Sequence, residues 1–135
     1  MSNTLILLAL QKRLAAMAGV IATAGENIDY KPVVGTPYQE IALLPASPDN
    51  VTAGLVHHRK VGVFQIMLRY PQFQGSGAAR RYADLLELHF RRATLLQESG
   101  LNVLVTHTPA TGPAQKDGDR YCLPISVRYQ ADVFQ

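Results

Sequence analysis

Residues 120–131, RYCLPISVRYQA, carry the most regular alternation in the chain. Tyr121, Leu123, Ile125, Val127 and Tyr129 fall on one side, and Arg120, Cys122, Ser126, Arg128 and Gln130 on the other. A period of two predicts a strand with one buried face. Pro124 has no N–H to give a ladder, so an edge position or a bulge is expected there. Residues 55–70 repeat the pattern, with Phe64, Ile66, Leu68 and Tyr70 set against Val63, Gln65, Met67 and Arg69. Gly62 in that run marks a bulge or the close approach of another backbone. Residues 38–44 and 101–108 read as two more strands, and a short extended piece is expected around 30–34.

Two segments follow the helical period instead. Residues 2–20 place Leu7, Leu10, Leu14, Met17 and Ile21 on one stripe, with Ser2 or Thr4 as the N-cap. Residues 76–98 predict a second helix with Ala79, Tyr82, Leu85, Leu86, His89, Phe90 and Leu96 inward and Gly100 as its stop. Turn-forming residues fill 23–37, 46–54 and 109–119, so these stretches read as loops, the last a polar hairpin loop without core residues. The order helix, strands, helix, strands is not regular βαβ alternation. It predicts an α+β domain over residues 1–135, a largely antiparallel or mixed sheet with two main helices packed on one face.

The chain's 135 residues, 47% hydrophobic and 17% charged, are ample for one core and unlike a disordered tail. A single cysteine excludes an internal disulfide and fits a reducing compartment. The apolar run LILLAL is interrupted by Gln11-Lys12-Arg13 and has no preceding positive charge, which argues against a secretory signal or a membrane span. The net charge of +3 is spread over the doublets Lys12-Arg13, Arg59-Lys60, Arg80-Arg81 and Arg91-Arg92. Such scatter gives few simultaneous phosphate contacts, so specific nucleic-acid binding is not expected.

Candidate chemistry is sparse. Gly75-Ser76-Gly77 lies between a strand and a helix, as a phosphate loop does. It lacks the lysine and the following hydroxyl that such a loop needs, so a structural corner is expected there. Cys122 and His107 form no activated pair by pattern, and Cys122 reads as an inert buried thiol. His57 and His58 point to opposite faces of a strand and do not jointly chelate a metal. Asp117 and Asp119 lack the further carboxylates of a calcium loop. The residues point to no enzyme, no cofactor and no metal.

Four segments carry a resemblance that covers residues 37–131: PYQEIALLP, VGVFQIMLRYP, QGSGAARRYADLLELHF and DGDRYCLPISVRYQAD. With the leading helix they resemble the tail-terminator-like proteins of long-tailed bacteriophages and prophages. The resemblance implies a structural protein that forms a hexameric ring on the tail tube and presents a surface to head-completion proteins. It implies assembly in the bacterial cytoplasm, a place in the virion tail, and a subunit that is monomeric when dilute. A ring needs a heterologous interface, in which one patch meets a different patch on the next subunit. Long connections at 46–60 and 109–119 are expected to make such contacts. Arg59, Lys60, Arg80, Arg81, Lys116 and Asp117 are the candidate residues for subunit or tail-tube contact. The alternative reading is a small nucleic-acid-binding or regulatory domain.

Overall fold

The computed structural model describes residues 2–26, 31–32, 35–47, 57–71, 77–118 and 120–134. The order is α1 (Ser2–Ala15), β1 (Ala22–Ala24), β2 (Tyr38–Pro45), β3 (His57–Pro71), α2 (Gly77–His89), β4 (Leu95–Glu98), β5 (Leu101–Val105), β6 (Ala110–Thr111), β7 (Gln115–Asp117) and β8 (Arg120–Phe134). The strands form one large mixed, curled sheet in the order β1-β2-β3-β8-β5-β4, with β6 and β7 also paired to β8. Only the β1–β2 pair is parallel. The molecule is therefore α+β, as the element order predicts.

The two long strands form its spine. β3 and β8 pair antiparallel from His57↔Phe134 to Pro71↔Arg120. Their alternation decides what is buried. Phe64, Ile66 and Leu68 on β3 and Leu123, Ile125, Val127 and Tyr129 on β8 join one core with Ile41 of β2 and Val103 and Val105 of β5. The same cluster takes Ile6, Leu10 and Leu14 from α1 and Ala79, Tyr82, Ala83 and Leu86 from α2. Leu10, Leu14 and Met17 are buried as expected, joined by Ile6 and Ala9, while Leu7 and Ile21 are only partly buried. Thr4 lies inside α1 rather than capping it.

A buried polar link holds α2 against the β1–β2 edge. The Tyr82 hydroxyl donates to Gln39 Oε1 (3.0 Å) and accepts the Ile21 N–H (3.3 Å). Gln39, with no exposed surface, donates in turn to Thr23 Oγ1 at 2.8 Å. At the far end of α2 the Arg13 guanidinium donates to the His89 carbonyl at 2.9 and 3.2 Å. That contact satisfies a terminal carbonyl and sets a cation at the negative end of the helix.

Several expectations are corrected. The second helix stops at His89, and the chain re-forms as β4 instead of running to residue 98. Beyond the buried Phe90, Ala93 takes a positive φ of 73° and donates to the Val105 carbonyl at 2.8 Å, starting a pairing with β5. Gly100 is then the second residue of a hairpin turn, not a helix stop. Ser99 (φ 48°) and Gly100 (φ 82°) link the paired residues Glu98 and Leu101, the geometry of a two-residue primed turn. Leu96 accordingly leaves the helical stripe, and Leu85 is half exposed.

The stretch 109–119 is not structureless, since β6 and β7 both pair with β8 and Pro109 is buried. Pro124, expected at an edge or bulge, sits in a central strand. Its carbonyl accepts the Gly112 N–H at 2.8 Å. A strand residue's N and O point to the same side, so the missing N–H falls at the break between β6 and β7. Gly62 does mark a close approach: a Cβ there would meet Tyr129 Oη at 2.6 Å and the Leu44 carbonyl at 2.7 Å. The early extended piece is found at Ala22–Ala24, before the expected span. Most of the loop 46–54 and the corner 72–76 lie outside the described residues.

Candidate assembly surfaces

The pleat fixes what lies on the sheet face opposite the core. With Phe64, Ile66 and Leu68 in the core, Val63, Gln65, Met67 and Arg69 point the other way. The register extends this face across three strands in rows. Leu44, Val63 and Arg128 make one row, and Ala42, Gln65 and Ser126 the next. Glu40, Met67 and Pro124 follow, then Tyr38, Arg69 and Cys122. Between the ends the rows are apolar or neutral apart from Arg128, which is exposed, and Glu40, which pairs with Arg69.

Charge is concentrated at the two ends of this face. At the first, Arg59 Nε meets Asp132 Oδ1 at 2.9 Å, directly across the β3–β8 ladder. At the second, Arg69 NH1 donates to Asp117 Oδ2 at 2.8 Å and to Cys122 Sγ at 3.3 Å. Its Nε lies 2.7 Å from Glu40 Oε1, yet no N–H is aimed at that oxygen, so this is a charge contact and not a directed hydrogen bond. Burial works against the Arg69 charge, but Asp117, Cys122, Glu40 and Tyr38 together hold its pKa above the ordinary value. Burial likewise raises the Cys122 thiol, with Asp117 and Glu40 adding to it against the opposing Arg69. A thiol pushed upward is a poor nucleophile, in keeping with a packing role. Beside the cluster, the Arg120 guanidinium donates to the Thr36 carbonyl and stacks 5.0 Å from the centre of the Tyr38 ring.

The six candidate contact residues fall in three places. Arg59 and Lys60 are neighbours on β3 but point to opposite faces, and Lys60 Nζ donates to Asn3 Oδ1 of α1 at 3.3 Å. Lys116 and Asp117 lie on β7, which pairs with the other end of β8. The distance along β3 from Arg59 to Arg69 is roughly 33 Å at about 3.3 Å per residue. Arg80 and Arg81 are exposed in the first turns of α2. The structure thus gathers no single basic patch from them.

Sequence reasoning missed Arg69, Glu40 and Arg128 as surface-defining residues. The signal was present for Arg69 and Arg128, since both break the neutral side of an alternating strand. It also missed the outward side of α2, where Leu85 is 50% and Leu88 66% exposed. Leu88 had a legible signal, an apolar residue outside the inward stripe. Among the described residues no group of three or more His, Cys, Asp or Glu is placed to hold a metal ion. No helix among them is long and apolar enough to cross a membrane.

The molecule is an α+β protein built on one large mixed, curled sheet. Comparison with known proteins agrees. A family model described as phage tail terminator protein matches residues 5–129, nearly the whole chain. The chain belongs to the phage tail terminator protein family. It is thus a structural protein of the phage tail, from a family that associates with other tail components. A solved structure whose protein bears no functional description is similar over 100% of this chain and 99% of its own, with 27% identity and a TM-score of 0.81. No curated protein matches the chain.

Proposed function

We propose that the protein closes into a hexameric ring that caps the tail tube and offers its other side to the head connector. The subunit acts as one domain over residues 1–135, assembles in the host cytoplasm and ends in the virion tail. Its role is mechanical and not enzymatic. Membership of the tail terminator family over residues 5–129 carries this reading. The packing supports it physically. On this reading both helices cover one side of the sheet and the opposite side is left for neighbours, its rows between the charged ends being uncharged apart from Arg128 and Glu40. Arg59, Lys60, Arg80, Arg81, Lys116 and Asp117 lie around the periphery. There they contact a neighbouring subunit or the tube, where rim charges govern encounter and register more than affinity. Side chains already held inside the subunit, such as Asp117 on Arg69, exchange partners or stay as they are.

The test is direct. Purified protein is added to tail tubes and examined by electron microscopy and by light scattering during tube growth. Six-fold rings on tube ends and arrested growth are expected. A protein that stays monomeric when concentrated, and leaves tube growth unchanged, overturns the reading.

A further inference from the structure

We propose that the outward side of α2 seats on the sheet face of the next copy of this chain, with Leu85 and Leu88 lying over the row Leu44–Val63–Arg128. The inference rests on the ring reading and says which two patches meet. A ring needs two different, complementary surfaces on one subunit, and the structure holds such a pair.

The first surface is helical. Ala79, Tyr82, Ala83 and Leu86 turn into the core, so the opposite side of the helix is free. It carries two exposed leucines, which a helix facing only water has no need to hold, together with the exposed acids Asp84 and Glu87. No ion pair or hydrogen bond engages either acid's side chain among the described residues. Asp84 precedes Leu88 by one helical turn and so lies beside it. Arg80 and Arg81 before them and Arg91 after them limit the negative charge to the middle of the helix, which fixes its register on a partner.

The second surface is the sheet row. Leu44 is 49% exposed, Val63 is half-buried beside it, and Arg128 completes the row on β8. Arg128 is an exposed cation with no side-chain partner among the described residues. In both neighbouring clusters, Arg59–Asp132 and Arg69–Glu40–Asp117, the arginine is already answered by a carboxylate within the subunit. Arg128 is therefore the charge on this face that a partner would answer. Apolar helix against apolar row, with acid against arginine, is how a helix covers a sheet inside a domain. Here the helix comes from a second copy.

Charge reversal tests the pairing on the full chain. Arg128→Glu, Asp84→Arg and Leu88→Asp are each made and checked for an unchanged thermal melt. Ring yield is then measured by sedimentation and electron microscopy at a concentration where the unsubstituted protein is half assembled. Each substitution is expected to lower ring yield at least tenfold. Asp84→Arg and Arg128→Glu placed on one chain are expected to restore it. An equimolar mixture of the two single variants is expected to restore it as well, because in an alternating ring every interface then joins opposite charges. Unsubstituted rings whose yield the three variants leave unchanged overturn this interface but not the ring. Absence of rings from the unsubstituted protein, in solution and on tubes, overturns both.

Discussion

Two buried tyrosines in this core carry hydroxyls in opposite situations. The Tyr82 hydroxyl serves Ile21 and Gln39 at once, whereas Tyr129 Oη is buried without a hydrogen-bond partner and crowds the position opposite Gly62. Removing one member of a satisfied buried pair leaves the other unsatisfied, at a cost of about 1–3 kcal/mol, while removing an unsatisfied group does not. Tyr82→Phe is therefore expected to lower the unfolding free energy obtained from a urea melt by an amount of that order, and Tyr129→Phe to leave it unchanged or raise it. Equal losses from the two would contradict the assignment. The crowding at Gly62 was legible as a glycine inside an alternating strand. What stood opposite it was not, because the β3–β8 register is set by the whole sheet.

At the scale of elements, the segment ATLLQESG shows how tertiary pairing overrides local preference. Its leucines, glutamine and glutamate suit a helix, and the periodicity of the preceding residues runs on into it. The Ser99-Gly100 dipeptide was the contrary signal, since a small residue followed by glycine marks a turn as readily as a helix end. Once the turn forms, β4 gains a partner in β5 and an ion pair from Lys12 to Glu98 at 3.0 Å. A methyl group added at Gly100 would meet nothing within 4 Å, so Gly100→Ala tests backbone conformation alone. The left-handed φ of 82° should make it destabilising by about 1–2 kcal/mol in a chemical melt. A neutral result would mean that the turn does not hold this geometry in solution.

For the molecule as a whole, burial of phenols and a thiol gives folding an alkaline limit. Tyr38, Tyr70, Tyr82, Tyr129 and Cys122 all have pKa values raised, in each case first by burial. A folded-state pKa above the unfolded one favours the neutral form in the folded state. The contribution is complete below the ordinary values of 9.0 for the thiol and 10.0 for the phenols, and is lost as pH rises through the folded values. Thermal melts from pH 7 upward should therefore hold until about 9 and then decline. A melt that does not move as pH rises through and well above about 10 would contradict the burial.

The sequence by itself determined the long strands, both helix starts and the absence of a nucleotide-loop or hydrolase motif. These depend on neighbours a few residues apart, which alternation and helical period record. It also held enough of the architecture to resemble the right family through four segments. Only the tertiary structure decided that the second helix ends at His89, that Pro124 fits a central strand, and that Arg128 shares a row with Leu44. Each depends on residues tens of positions away, brought together by the register of one sheet. The two surfaces proposed to meet in a ring belong to this second kind: their residues were visible in the sequence, but their rows exist only in the fold.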